Sequence, residues 1–354
     1  MQLAGLGAAS LFKTPKAFNN LMLDVIGKGI CTKCGMCVSS CQVHALSMTE
    51  EGPRKVGPCR LCEACYHSCP RSPALSEELL KASLKYEGVE DEVLGRYINI
   101  ISARTTREDV RSRAQDGGVV TTLLIYAFER GLIDGAIVAS KSSVEAWRPI
   151  PKVALDVSAA LEAAGTKYSS SPNLVALKDA VYGYELERLC VVGVPCQVTA
   201  AQNVRVHPKA ARKIGDKIAL IIGLFCMESF PHKRLVEYLA LNKIDASRVS
   251  KFDIKDGKFR VYVEGSESLS VPVKDLKGYV NEYCEVCRDL TSLYADISVG
   301  AIGSQRGWST VIVRSSKGAE LFNNAVRDGY LEVGDIGSGT DTLKKIAKRK
   351  ASKK

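Results

Sequence analysis

The 354-residue chain has no run of eighteen apolar residues, so no segment is expected to cross a membrane. It has four histidines and no recognisable nucleophile motif, which argues against acid–base or covalent catalysis by side chains. The dinucleotide fingerprint G-x-G-x-x-G is missing, so a standard Rossmann nicotinamide site is not supported. Aromatic residues make up only 6%, and no aromatic platform accompanies the basic residues, so nucleic acid is not an expected partner. The apolar stretch 3–11 lacks the basic start and cleavage context of a secretory signal, so export is not expected. What is present, 46% hydrophobic and 25% charged residues, suits a folded protein of two or three domains.

Cysteine is the residue in excess. Of thirteen, eight form two runs of one spacing: Cys31-x2-Cys34-x2-Cys37-x3-Cys41 and Cys59-x2-Cys62-x2-Cys65-x3-Cys69. This is the doubled pattern by which bacterial-type ferredoxins hold two [4Fe–4S] clusters, the fourth cysteine of each run serving the other cluster. Cys31, Cys34, Cys37 and Cys69 then hold one cluster, and Cys59, Cys62, Cys65 and Cys41 the second. Pro70 follows the second run, while Gln42 stands where the first would have proline. Structural zinc favours paired C-x2-C knuckles with wider gaps, and a disulfide framework belongs to small secreted chains. So many thiols suit a reducing cytoplasm, and oxygen-labile clusters suit an anaerobe. The formal charge of +10 overstates the basicity, because each cluster with its four thiolates adds about two negative charges. Much of the basic excess lies in the final run from Lys344 to Lys354, expected to be a solvated, frayed helix, with docking to an acidic partner or anionic lipid as the alternative.

The segmentation reads as an N-terminal extension (1–27), a two-cluster ferredoxin domain (28–72), a helical connector (73–96), an α/β domain (97–334) and a basic tail (335–354). Strands are expected at 98–102, 135–139, 189–194, 218–224, 297–301 and 309–313, with a hairpin at 249–264 turning on Asp256-Gly257. Helices are expected at 17–26, 119–130, 174–182, 233–242 and 319–328, and a charged helical stretch at 76–94.

Two strand-like segments end in cysteine, at Cys196 and Cys226, and Cys284-x2-Cys287 adds two thiols from a loop. The carboxyl ends of strands in open α/β sheets gather ligands. These four residues suit a third cluster, but buried inert cysteine, a redox-active pair or zinc fit the spacing as well. Cys190 is left over and is expected in the core. Three glycine-rich or polar turns could hold a flavin: Gln115-Asp116-Gly117-Gly118 leading into a helix, Gly165-Thr166-Lys167-Tyr168, and a third from Gly300 to Ser309 that includes Gly303 and Trp308. The plain alternatives are a turn with Asp116 capping the helix, a solvent-facing loop, and ordinary tight packing.

These residues together resemble the coenzyme F420 hydrogenase/dehydrogenase beta-subunit family. The carriers are Ser102-Ala103-Arg104 with Ala114 to Gly118, then Ala164 to Tyr168, Val194-Pro195-Cys196-Gln197 and Gly223 to Glu228. Cys284-x2-Cys287-x-Asp289, Ala295-Asp296-Ile297-Ser298 and Gly307 to Ile312 complete the set. The resemblance spans about 97–334, and the cysteine-rich start is most like the input subunit of F420H2 dehydrogenase. It implies a mixed-sheet α/β domain with FAD, a third [4Fe–4S] cluster on Cys196, Cys226, Cys284 and Cys287, and coenzyme F420 as substrate. Gln115, Asp116, Gly117, Gly118, Thr121, Gly165, Thr166, Lys167, Tyr168, Gly303 and Trp308 become implied cofactor contacts. Val194 stands where many relatives carry threonine. A basic access groove for the phosphate and glutamate tail of F420 is expected among Arg104, Lys167, Arg205, Lys209, Arg212 and Lys213.

The implied reaction is reversible oxidation of reduced F420, with electrons leaving to a membrane-bound respiratory complex, other redox subunits or ferredoxin. The chain would be cytoplasmic, or peripheral on the membrane's inner face through its partner. Alternatives are the F420-reducing beta subunit of a hydrogenase or formate dehydrogenase, an electron relay without flavin, and a reductase of another conjugated ring.

Overall fold

The computed structural model describes residues 14–83 and 88–353; the apolar stretch 3–11 lies outside the described residues. In chain order the strands are β1 (Leu46–Met48), β2 (Pro53–Lys55), β3 (Val89–Asp91), β4 (Gly95–Tyr97) and β5 (Asn99–Thr105). Then come β6 (Gly135–Lys141), β7 (Pro149–Ala154), β8 (Leu189–Gly193), β9 (Ile218–Leu224) and β10 (Val249–Lys255). The last are β11 (Lys258–Val263), β12 (Ser266–Pro272), β13 (Ile297–Gly300), β14 (Ser309–Val313) and β15 (Leu331–Gly334).

Eight strands form one mixed sheet in the order β15-β5-β14-β13-β9-β8-β6-β7. The central four, β13, β9, β8 and β6, are parallel, and β7, β14, β5 and β15 extend the sheet by antiparallel pairing. Because β5 and β13 both oppose β14, β5 runs in the same direction as the parallel four. The carboxyl ends of β5, β8, β9 and β13 therefore share one edge of the sheet.

The period-two alternation of a strand divides β8 and β9 between two cores. Cys190, Val192, Leu220 and Ile222 face one layer with Leu123, Leu124, Leu321 and Phe322. Leu189, Val191, Ile218 and Ile221 face the other with Leu177, Val198, Ala201 and Val204. Burial on both faces explains why these strands read as unbroken apolar runs. Cys190 is fully buried, in the place the sequence suggested.

A three-stranded antiparallel meander, β10-β11-β12, forms a second small sheet around Phe230, Phe252 and Phe259. Its first turn is Asp256-Gly257, both with positive φ, as a tight hairpin requires. The cysteine-rich region packs Phe18, Leu21, Val25, Val38, Leu46 and Tyr66 into a small core of its own.

Several expectations need correction. Of the stretch 76–94, Glu77–Ser83 is helix, whereas Val89–Asp91 is strand β3, paired with β4 in a hairpin. The strand ending at Cys196 stops at Gly193, and the cysteine belongs to a helix, Pro195–Val206, that pattern reading missed. Proline at its first position and Val194 extended before it explain the start. The basic end is not solvated along its length. It is a helix, Gly339–Ala351, with Leu343, Ala347 and Lys350 buried.

Candidate functional site

The two cysteine runs fold alike. Lys33 and Gly35 in the first, and Leu61 and Glu63 in the second, all have positive φ, and each run then enters a short helix, Met36–Ser39 or Ala64–His67. Left-handed residues placed among right-handed ones are how a loop turns successive N–H groups toward an anion. N–H groups of Ala45, Leu61 and Arg71 donate to the sulfurs of Cys41, Cys59 and Cys69 at 3.2, 3.4 and 3.4 Å.

The grouping of the thiols crosses the runs. Burial pushes the Cys37 thiol well up, reinforced by Cys34, Cys69, Cys31 and then Cys65. Cys65 is pushed to about 12 by burial, then by Cys62, Cys59 and Cys41. Cys69 thus lies with the first run's thiols and Cys41 with the second's. The electrostatic influences thus run mostly within the expected sets, and Cys37 and Cys65 are where one set acts on the other.

The third quartet gathers where β8 and β9 end. Cys196 occupies the second position of the helix Pro195–Val206, Cys226 follows β9, and Cys284 and Cys287 come from a turn at Glu282–Cys284 and the loop after it. Burial raises the Cys196 thiol far above its usual range, and Cys34, Cys287, Cys226 and Cys284 add to it. Cys34 of the first run is therefore a close neighbour of the third quartet. Asp289 shapes the loop after Cys287, accepting from the N–H groups of Thr291, Ser292 and Leu293 at 2.9, 2.8 and 3.0 Å.

Docking of the cysteine-rich region is specific. Leu174 N–H donates to Cys34 O at 3.1 Å, the Ser39 hydroxyl donates to Leu174 O, and Asn203 Nδ2 donates to His67 O at 2.6 Å. A Cβ on Gly35 would lie 2.5 Å from Val175 Cγ2, so only glycine fits this contact.

The implied flavin contacts fall into three places. Gln115 and Asp116 line an open cleft with Lys251, Asp253, Lys255, Arg306 and Gly307. Gln115 Nε2 donates to Phe252 O at 3.1 Å, and Asp116 lies 4.0 Å from Lys255, its carboxyl pushed up chiefly by burial. Asp116 does not cap the helix Val119–Glu129; Gly118, at φ +71°, holds that position. Gly117 is required by the protein itself, since a Cβ would meet Ala103 O at 2.5 Å and Ser309 N at 2.6 Å. Thr121 is half-buried in the first turn of that helix.

Lys167 is largely enclosed, donating to Ala163 O and to Ala164 O at 3.3 Å, while Thr166 beside it is exposed and Gly165 turns at φ +83°. Burial lowers Lys167 to about 8, Lys141 adds to the effect, and no carboxylate pairs with it among the described residues. Tyr168 accepts from Ile254 N–H at 3.1 Å, and Asp253 and Asp116 both act on its hydroxyl. Trp308 stacks under the Arg104 guanidinium at 4.6 Å, Arg104 pairs with Glu332, and Gly303 turns at φ +102° beside Gly339.

A stretch just beyond Tyr168 links the cleft to the third quartet. The hydroxyls of Ser169 and Ser171 and Oδ1 of Asn173 are buried without partners. Around them Gln197 Nε2 donates to Ser171 O at 2.7 Å, Asn281 Nδ2 donates to the Ser170 hydroxyl at 3.3 Å, and the Ser229 hydroxyl is 3.7 Å from the Cys284 sulfur. Unpartnered buried oxygens between a cleft and a thiol quartet are what a polar cofactor would satisfy. Ser229, Asn281 and Tyr283 were missed from sequence, as single polar residues without spacing to mark them.

The six basic candidates do not line one groove. Arg104 lies near the carboxyl end of β5, whereas Arg205 pairs at 3.1 Å with Asp296, which precedes β13 at the opposite edge. Lys209 pairs with Glu63 at 3.3 Å, Arg212 with Asp216, and Lys213 lies over the Tyr182 ring. Asp296 is a structural hub: Ile221 N–H and the Ser315 hydroxyl also donate to it, at 2.8 and 2.6 Å.

Comparison with known proteins identifies the family and the fold. Residues 100–178 match the N-terminal part, and residues 186–338 the C-terminal part, of the family described as "Coenzyme F420 hydrogenase/dehydrogenase, beta subunit". The chain is 41% identical to a coenzyme F420 hydrogenase subunit beta from Methanosarcina barkeri, over 75% of this chain and 92% of the relative. It is 32% identical to an F(420)H(2) dehydrogenase subunit from Methanosarcina mazei, over 92% of this chain and 91% of the relative. A chain of the F420-reducing [NiFe] hydrogenase complex from Methanosarcina barkeri superposes with TM-score 0.72 at 40% identity, covering 75% of this chain and 92% of that one. With both family models matched and relatives at 32–41% identity aligned over most of their length, the chain belongs to the coenzyme F420 hydrogenase/dehydrogenase beta-subunit family.

Proposed function

We propose that this chain is an iron–sulfur flavoprotein subunit that reversibly oxidises reduced coenzyme F420 with FAD and passes electrons singly to a partner. The observation that carries the reading is the unbroken series of cysteine groups. The strand-end quartet adjoins the first ferredoxin-type set through Cys196 and Cys34, and that set adjoins the second through Cys37 and Cys65. FAD, when bound, supplies the exchange between hydride chemistry and single-electron chemistry.

Each part of the chain has a task in this reading. Twelve cysteines hold three [4Fe–4S] clusters. Lys167, with Lys141 near it, holds a phosphate of FAD or of F420, and Ser169 and Ser171 offer their unpartnered hydroxyls to the flavin. The cleft at Gln115 and Asp116 admits the deazaflavin ring, and the meander β10–β12 forms one wall of it, limiting water. No side chain is needed as acid, base or nucleophile.

The 92% coverage by the F(420)H(2) dehydrogenase relative, against 75% by the hydrogenase relative, favours a role as the input module of a dehydrogenase. Partner redox subunits or ferredoxin take the electrons. Among the described residues no helix is long and apolar enough to cross a membrane.

The test is to mix anaerobically purified protein, carrying iron and FAD, with reduced F420 and a viologen dye. FAD-dependent dye reduction is the expected result. No reaction at full flavin and iron occupancy would overturn the substrate assignment, and a chain that takes up no FAD would overturn the flavoprotein reading in favour of a relay.

A further inference from the structure

The helix Gly339–Ala351 follows directly on the residues that match the family model, which end at 338. Its inward stripe is Leu343, Ala347 and Lys350, at the i, i+4, i+7 spacing of one helix face. Leu343 and Ala347 pack with Leu290 and Ile312, and against Phe225 and Met227 on either side of Cys226. The third member of the stripe is a lysine with 1% of its surface exposed. Burying an ammonium group is expensive unless negative charge faces it.

Lys350 faces the third quartet. Its Nζ donates to the backbone oxygen of Cys226, and Cys226, Cys287, Asp289 and Cys284 are the groups of acidic character around it. Asp289 is already held by three backbone N–H groups. One turn on, Lys353 donates to Cys284 O at 3.3 Å, but Glu228 neutralises it at 2.6 Å. Lys344, earlier on the helix, is paired with Asp91 at 2.7 Å. Lys350 makes no such ion pair among the described residues, and its charge acts on Asp289 and on the thiols of Cys226, Cys287 and Cys284 together.

We propose that Lys350 is a built-in counter-cation that raises the reduction potential of the cluster held by Cys196, Cys226, Cys284 and Cys287. The inference rests on the reading of that quartet as a [4Fe–4S] site. A cluster with four thiolates is anionic, and adding an electron makes it more so. A fixed cation therefore favours the reduced form more than the oxidised one, and net charge and hydrogen bonding are among the determinants of cluster potential. Lys350 makes this site the easier first acceptor, and the helix ties that property to the chain's end.

The test is a potentiometric titration of the anaerobic holoprotein followed by electron paramagnetic resonance, with the third cluster's signal assigned as the one missing from Cys226→Ser. Lys350→Gln and Lys350→Met should each move its midpoint to more negative potential, by a factor of about ten or more in the reduction equilibrium, about 59 mV for one electron. Lys350→Arg should stay near wild type, and the other two clusters should not move. The titration reads only molecules that carry the cluster, so partial loss of iron does not hide the shift. An unchanged midpoint in the neutral variants would overturn the proposal and leave Lys350 as an anchor for the Cys226 carbonyl. Complete loss of the signal in both neutral variants would do the same. Iron and sulfide content of the wild type separately tests the cluster reading.

Discussion

At the scale of single residues, Lys167 shows how burial prepares a side chain for a ligand. Its ammonium is satisfied on one side by two carbonyls, and its value falls to about 8 because solvent is excluded first and Lys141 repels second. An amine with a lowered value is charged below it and neutral above it. If Lys167 holds a phosphate, binding is strongest below pH 8 and weakens as the pH rises through that value, while the phosphate itself keeps its charge. Flavin fluorescence quenching should show FAD affinity falling several-fold between about pH 7 and about pH 9. In Lys167→Met the affinity should be lower at the acid end of that interval and flat across it. Equal affinities for the two proteins at both ends would remove Lys167 from the site. Asp116 differs, since its carboxyl is pushed up by burial but answered by Lys255, so it neither caps the helix nor stands alone.

At the scale of elements, the contact between the first cysteine loop and the segment 172–175 fixes where the two regions meet. Gly35 has φ +90° and no room for a Cβ against Val175. Gly35→Ala pays for a left-handed backbone, about 1–2 kcal/mol, and then pushes the loop off its seat. Glu63, its counterpart in the second run, shows that the conformation alone tolerates a side chain, so the seat is the larger cause. Thermal unfolding of the Gly35→Ala holoprotein should start earlier than wild type, and electron transfer from the third quartet to the first should slow in freeze-quench measurements. Unchanged transfer would mean that this contact does not set the distance.

The same elements show what pattern reading can reach. β9 and β14 were legible to the residue, because runs buried on both faces have one period and clear ends. β7 was hidden by two prolines, which an edge strand tolerates, and β15 by its shortness. The helix Pro195–Val206 was lost because its Ala, Gln and Asn composition gives a weak pattern and follows a strand without a linker. The two cysteine runs stand out in the sequence because one spacing is repeated. Lys350 does not, because a lysine among lysines looks solvated until its helix is seen to turn that position inward.

At the scale of the molecule, exposure gives the thiol groups a direction. Each set has one buried cysteine, Cys34, Cys65 or Cys284, but only the second ferredoxin-type set has an exposed one, Cys62. In the proposed reading, the set at the outer end of the series is the one a protein partner approaches, and the cleft at Gln115 and Asp116 lies at the inner end. A small dye can take electrons wherever it diffuses in; a protein acceptor is confined to the outer end. Cys62→Ser, by disabling the outer cluster, should abolish reduction of a ferredoxin acceptor by reduced F420 while leaving most of the viologen activity. Cys284→Ser, by disabling the inner cluster, should abolish both, yet FAD bleaching by reduced F420 should survive. If Cys62→Ser still reduced ferredoxin at the wild-type rate, electrons would leave from another group, and the order inferred from neighbouring thiols would be wrong.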